Sequence, residues 1–402
     1  MLVKLSIKIF SEINNLFIKQ ILLFVLIFFT VFFYSCSDNP SSIGAALLSG
    51  DQLKVNELDS YKDTLSQKSS YLKRAIKLGS AYRLFVGKAE NIEASSLMNF
   101  YMPLEDSVKN IINADSITIV SARVYLWHVY NFGDSTGNYD FTVHQILSGW
   151  TSVNFNSDSL SVLSYDAADI SSEKILSDTL DEFSVSPSLA LSWLKYSSDS
   201  VGNNYGIYIQ PSQSSQKVVG YQALYSTTHD PYISIVYQRL GYSNNDTLTF
   251  LANADVSAVT GDIPTVTQSS IIVQGGLAIN AKLWFDVSKI PFNANINNAK
   301  VTLNLNSAKS IIGDTTNTIL GFFVQDSSSI VLDSTLSPII FDASYTGDIT
   351  SYVQKWVSSR TNEGILLTTS GDANNVDLFT FTGSNAADSS KPRLHIIYTT
   401  KK

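Results

Sequence analysis

Hydrophobic and polar positions alternate with a period of two along much of this chain. Val301, Leu303 and Leu305 fall on one side of a strand, and Lys300, Thr302 and Asn304 on the other. Leu394, Ile396 and Tyr398 repeat the pattern near the end. Such short runs, separated by turn pairs such as Gly133-Asp134 and Gly313-Asp314, predict antiparallel strands with one buried face. Helical spacing is predicted at two places. Leu189, Ala190, Trp193 and Leu194 follow Ser186 as N-cap and Pro187 at the first helical position. Ile349, Tyr352, Val353, Trp356 and Val357 follow Asp348 as N-cap. A Gly-led apolar strand comes after each, at Gly206-Ile207-Tyr208-Ile209 and Gly364-Ile365-Leu366-Leu367. Trp193 and Trp356 are therefore expected to anchor cores.

These elements are duplicated. Pro231-Tyr232-Ile233-Ser234-Ile235-Val236-Tyr237 returns as Pro392-Arg393-Leu394-His395-Ile396-Ile397-Tyr398. Ala122-Arg123-Val124-Tyr125-Leu126 returns as Ala299-Lys300-Val301-Thr302-Leu303, and Asp63-Thr64-Leu65-Ser66 as Asp246-Thr247-Leu248-Thr249. The order is kept, and the spacing drifts as loop insertions would make it drift. The longer first repeat places its extra loop around Asp158 to Lys174. The expected fold is all-β: two tandem antiparallel β-sandwich (jelly-roll) domains, each with one short helix, after an N-terminal signal helix. Their expected bounds are 56–240 and 241–402, meeting near Leu240-Gly241.

Residues 21–34 form an uncharged apolar run preceded by Lys4, Lys8 and Lys19. The run is short for a membrane span, which needs about 20 residues, and suits a secretory signal. Ser35-Cys36 follows, then the polar Ser37 to Ser42. This start resembles the bacterial lipoprotein signal, which implies lipid modification of Cys36 and residence at the outer membrane. Residues 1–35 are then the signal peptide and 36–55 a tether. Cys36 is the single cysteine, so no disulfide forms within the chain.

Lys282-Leu283-Trp284-Phe285-Asp286-Val287-Ser288-Lys289-Ile290-Pro291, then Asp348-Ile349-Thr350 with Trp356, Gly364, and Pro392 to Tyr398 resemble in order the blocks of the DNRLRE family. The resemblance covers roughly residues 265 to 400. It implies a jelly roll of the carbohydrate-binding-module type on a surface or secreted protein, with polysaccharide binding in some members. The first repeat departs from the pattern, with Val185 and Pro187 where the family has Asp and Thr. The start of the chain, with Ser42-Ile43-Gly44, also looks like a group of uncharacterised outer-membrane lipoproteins.

Composition narrows the function. Acidic residues outnumber basic ones 35 to 27, and charged residues make up only 15%. An acidic chain without a basic stripe argues against nucleic-acid binding. Four histidines are present, none in H-E-x-x-H, and no G-x-S-x-G elbow or phosphate loop occurs. No catalytic residue, metal ligand or cofactor is therefore expected. Asp134, Thr136, Asn138 and Asp140 alternate as calcium-loop ligands do, yet Gln145 stands where the twelfth-position Glu belongs, so a polar hairpin loop is expected. Asp-Ser and Asp-Thr pairs recur, resembling a bacterial O-glycosylation acceptor; they are also ordinary turn pairs, and modification is not expected.

The repeats differ at one outward face. Where the second has Lys300, Thr302 and Asn304, the first has Arg123, Tyr125 and Trp127. Preserved register keeps these three side chains together, where aromatics could stack on sugar rings and Arg123 meet an acidic sugar. The competing expectation is that the first-repeat insertion or the second repeat covers them. The expected function is a non-catalytic envelope lipoprotein binding extracellular polysaccharide. The alternative is a structural or assembly protein of the outer membrane working through protein contacts.

Overall fold

The computed structural model describes residues 53–401 except 75, 77, 80, 225–228, 265–268 and 388. The expected signal, Cys36 and nearly all of the expected tether lie outside the described residues. Among those described, no helix is long and apolar enough to cross a membrane.

The chain is mostly β. Strands β1 (Leu53–Asp59), β2 (Gln67–Lys73), β3 (Arg83–Ala89) and β4 (Ile92–Phe100) lead to helix α1 (Asp106–Asn113). Then come β5 (Ile117–Gly133), β6 (Phe141–Gln145), β7 (Ser171–Ile175), β8 (Leu180–Val185) and α2 (Pro187–Asp199). Strands β9 (Ile207–Pro211), β10 (Lys217–Gln222) and β11 (Tyr232–Arg239) complete the first repeat. The second contains β12 (Asn245–Gly261), β13 (Ser270–Gln274), β14 (Ile279–Phe285), β15 (Asn295–Thr302) and β16 (Ile319–Asp326). It continues through β17 (Val331–Leu332), β18 (Ile339–Ile340), β19 (Thr346–Asp348) and α3 (Thr350–Ser359). It ends in β20 (Ile365–Thr369), β21 (Leu378–Thr382) and β22 (Arg393–Lys401). The expectation of one helix per repeat misses α1.

The duplication is written into strand register. Ala122 of β5 faces Ile235 of β11, and Ala299 of β15 faces Ile396 of β22. Both pairs of strands carry a bulge at the same place. Val236 and Tyr237 face Ser121 and Ile119, leaving Val120 over; Ile397 and Tyr398 face Asn298 and Ile296, leaving Asn297 over. A bulge that returns in both repeats is a built feature of the strand rather than a local accident.

Each repeat contributes most of one β-sandwich-like core. The first buries Val124, Leu126, Phe141, Phe183 and Trp193; the second buries Val301, Phe323, Tyr352, Trp356 and Phe379. Trp193 and Trp356 are the largest fully buried side chains, and replacing either with Ala would cost about 3–5 kcal/mol. Ser186 caps α2 by accepting from the Leu189 amide, as expected. The other cap differs. Asp348 is held extended at the end of β19 opposite Lys300, so Ile349 takes the cap position and α3 begins at Thr350. Asp348 Oδ1 instead closes a local turn, accepting from the Thr350 amide at 2.9 Å and its hydroxyl at 2.6 Å.

Strand pairing crosses the expected Leu240-Gly241 boundary in both directions. β12 pairs with β11 and β4, completing the first core. The second core is completed from the N-terminal side: β1 lies beside β22, and β2 pairs with β14. Ser60 donates its amide to the Leu394 carbonyl, the place that Phe250 holds opposite Ile233. Asp63-Ser66 is thus not the structural counterpart of Asp246-Thr249. A third apolar cluster joins the cores, with Phe85, Leu97, Phe132 and Val256 against Ile272, Leu277, Val376 and Leu378. Val55–Thr400 accordingly forms one compact unit.

Candidate functional site

On β5, Ala122, Val124 and Leu126 are buried, while Arg123, Tyr125 and Trp127 stand half-buried on the other face. The expected shared face is therefore present, but its groups are already engaged. Arg123 Nε lies 3.0 Å from the Glu182 carboxylate on β8, and its Nη2 donates to the Glu173 carbonyl at 2.6 Å. The Tyr125 ring stacks on Tyr232 of β11 at 4.6 Å and 10°. Trp127 leans on His229 at 4.3 Å. One face of each aromatic is used by a neighbouring ring, and the Arg123 charge is matched from within the chain. β7, at the end of the expected insertion, supplies Glu173, so the insertion reaches this face without burying it.

A second surface was not singled out by the sequence. A groove of about 510 Å³ is lined by Gln67, Lys68 and Ser70 of β2, Lys282 and Trp284 of β14, and Glu363 before β20. Register sets Trp284 opposite Lys68 and Lys282 opposite Ser70. The Lys68 ammonium lies 5.4 Å from the centre of the indole ring. Trp284 Nε1 donates to the Asn362 carbonyl at 3.0 Å, which fixes the ring's edge and leaves it half-buried. Lys282 stands 3.8 Å from the Glu363 carboxylate. Gln67 donates from Nε2 to the Pro392 carbonyl, while its Oε1 is buried without a partner in the protein.

The groove sits beside a turn that both repeats share. Asn362 Nδ2 donates to the Phe285 carbonyl at 2.7 Å, and its Oδ1 accepts from the Gly364 amide at 3.0 Å. Asn204 does the same with Phe100 at 2.9 Å and Gly206 at 3.1 Å. Phe100 thus corresponds to Phe285, Asn99 to Trp284 and Leu97 to Lys282. Leu97 is buried in the junction cluster, whereas Lys282 is half-exposed. The face that glues the cores together in the first repeat is freed in the second and carries Trp, Lys and amides instead. The Lys282-x-Trp284 alternation against buried Leu283 was the sequence signal for an outward tryptophan.

The remaining polar clusters are structural. Asp181, fully buried, accepts from the Tyr221 hydroxyl at 2.6 Å and lies 3.1 Å from His128 Nε2. Tyr221 in turn contacts the Tyr139 hydroxyl at 2.5 Å, and burial pushes both phenols well above their usual range. His144 is held by the Asp166 and Ala168 carbonyls and by Thr142. His395 meets Glu57 at 3.0 Å. Asp134 Oδ1 accepts from the Thr136 amide and hydroxyl, as Asp314 and Asp333 do from Thr316 and Thr335, so these acidic pairs close turns. Among the described residues, no three His, Cys, Asp or Glu side chains are placed to hold a metal ion.

No family model, curated protein or solved structure matches this chain.

Proposed function

We propose that this chain is a non-catalytic envelope lipoprotein, anchored in the outer membrane through acyl chains on Cys36, that binds extracellular polysaccharide with its second repeat. The β-rich cores are read as two jelly-roll sandwiches fused by reciprocal strand contribution. The observation that carries the reading is Trp284. A tryptophan on the outer face of a sheet, in a groove of amides, hydroxyls and lysines, offers what a sugar ring needs: a flat apolar surface for its C–H face and hydrogen-bonding groups around the rim. The Arg123, Tyr125 and Trp127 face is the lesser candidate, because its rings and its charge are engaged with Tyr232, His229, Glu182 and Glu173.

Retention of the full-length chain in polysaccharide affinity gels tests the binding. Retention should fall for Trp284→Ala and stay for Tyr125→Ala/Trp127→Ala; a chain that no polysaccharide retards is not a glycan binder. Labelling with a palmitate analogue tests the anchor, and equal labelling of Cys36→Ala would refute it. A rival reading, an assembly protein working through protein contacts, draws on Val153, 71% exposed just before the first-repeat insertion, and Val162, 81% exposed within it.

A further inference from the structure

We infer that the Trp284 groove selects anionic sugars, pyranose residues bearing a carboxylate or a sulfate ester, and that Lys68 is the selecting group. The inference rests on the reading of this groove as a glycan site and adds to it the charge of the ligand.

Two observations carry it. First, the groove is locally cationic in an acidic chain. Lys68 and Lys282 stand against the single carboxylate of Glu363, while the whole sequence has 35 acidic and 27 basic residues. Lys282 meets Glu363 at 3.8 Å, and Lys68 makes no ion pair among the described residues. Its ammonium is set over the indole of Trp284 at 5.4 Å. Second, that position covers the ring a sugar would use. Attraction of an exposed ammonium to an aromatic face is weaker than a charge-assisted hydrogen bond to an anion. An anionic sugar therefore draws the flexible Lys68 side chain off the ring onto its acid group, and the indole is uncovered for the sugar's C–H face. A neutral sugar must displace the ammonium without offering it a partner.

The corresponding place in the first repeat supports the assignment by contrast. Asn99 stands for Trp284 and Leu97 for Lys282, and Leu97 is consumed in the junction between the cores. The cleft beside Asn99 and Asn204 has neither the indole nor this lysine pair and holds Lys109 instead. The selecting pair is confined to the second repeat.

Calorimetric titration of the full-length chain in detergent with three matched hexamers tests the proposal: oligogalacturonate, a sulfated oligogalactan and a neutral oligogalactan. At least one anionic hexamer should bind about tenfold more tightly than the neutral one at low salt, a difference that shrinks as salt rises. Which of the two prevails identifies the acid group. Lys68→Gln should weaken the anionic hexamer by up to about fivefold and leave the neutral one equal or tighter, because the ring is then uncovered. Both Lys68 and Trp284 lie at the surface, and Trp284→Phe accompanies Trp284→Ala to separate loss of stacking from loss of fold. Neutral and anionic hexamers binding alike, or Lys68→Gln weakening both equally, overturns charge selection while leaving the glycan site standing. No heat from any hexamer removes the glycan reading itself.

Discussion

Tyr130 donates its hydroxyl to the carboxylate of Asp377 at 2.5 Å, across 247 positions of sequence and between the two cores. Asp377 also accepts from the Gly313 amide at 2.7 Å and from Asn317 at 2.5 Å. Burial pushes this carboxyl above its usual range, against the pull of those three donors. Arg83 lies 5.2 Å from the Tyr130 ring centre and pairs with Asp314 at 2.8 Å. The junction is thus an apolar cluster with a satisfied polar centre. Such a centre is costly to break on one side only.

Tyr130→Phe keeps the ring and removes the donor, leaving Asp377 one hydrogen bond short in a buried place. We expect a loss of about 1–3 kcal/mol in denaturant unfolding, with a single transition retained. A change below about 0.5 kcal/mol, within the range of ordinary surface substitutions, would mean that water reaches the junction freely.

The second core needs its N-terminal strands. β2 supplies all seven of its residues as partners to β14, from Gln67 opposite Phe285 to Lys73 opposite Ile279. Arg393 of β22 is bound to Asp59 of β1 at 2.6 Å. A fragment of residues 241–402 would expose the open edges of β14 and β22, and exposed edges invite aggregation. It is expected to show no cooperative thermal transition. Rejoining residues 53–73 after the last strand through a flexible linker should restore one. Cooperative melting of the bare fragment would show that the closing strands are dispensable.

How much of this was readable beforehand depends on the range of the interaction. The repeated motifs face one another in the structure, Ala122 on Ile235 and Ala299 on Ile396, a pairing the sequence did not state; what the alternation in β5, β15, β11 and β22 did predict is which side chains are buried. Those signals are local and periodic. The exchange of closing strands is not: nothing around Gln67 to Lys73 says that its partner lies beyond position 279. The Asp63 and Asp246 segments look alike in sequence, yet the first lies in the turn region after β1 and the second inside β12. The β5 face came out on the predicted side, yet Tyr232, His229, Glu182 and Glu173, which occupy its groups, arrive from three other stretches of chain. Trp284 stood in a block that drew notice as a family resemblance, and its outward direction follows only when Leu283 is known to be buried.

Two aspartates should give stability opposite slopes with pH. Burial pushes Asp255 up to about 6, with Asp230 adding repulsion and the Leu224 amide opposing at 2.6 Å. Its unfolded value is near ~4, so the folded state holds the extra proton between ~4 and 6 and stability falls as pH rises through that window. Asp255→Asn keeps an acceptor for Leu224 and removes the slope, raising neutral-pH stability by on the order of 2 kcal/mol. The Arg393 guanidinium beside Asp59 holds that carboxyl down at about 2. Its contribution is complete above ~4 and is lost as pH falls through about 2. Melting temperatures from pH 2 to 8 check both signs, and an Asp255→Asn profile parallel to that of the parent chain would contradict the first.

The paired Asn-x-Gly turns offer a test of whether the duplication is energetic as well as geometric. Gly206 has φ +85 and Gly364 has φ +82, in the left-handed region where a side chain strains the backbone. Space forbids a side chain as well: a Cβ would lie 2.0 Å from the Met98 carbonyl oxygen at Gly206 and 2.5 Å from that of Leu283 at Gly364. Either Gly→Ala change must push apart a central strand pair, β4 from β9 or β14 from β20, and should cost several kcal/mol, roughly 3 or more. Asn204→Ala and Asn362→Ala remove the two hydrogen bonds that hold each turn and should cost about 1–3 kcal/mol. Because the cores share one junction, each variant is expected to lower the same single transition by a similar amount. Urea unfolding of the four variants decides this: a second, separate transition appearing in the Gly206 or the Gly364 variant would show that the cores unfold independently and that the junction does not couple them.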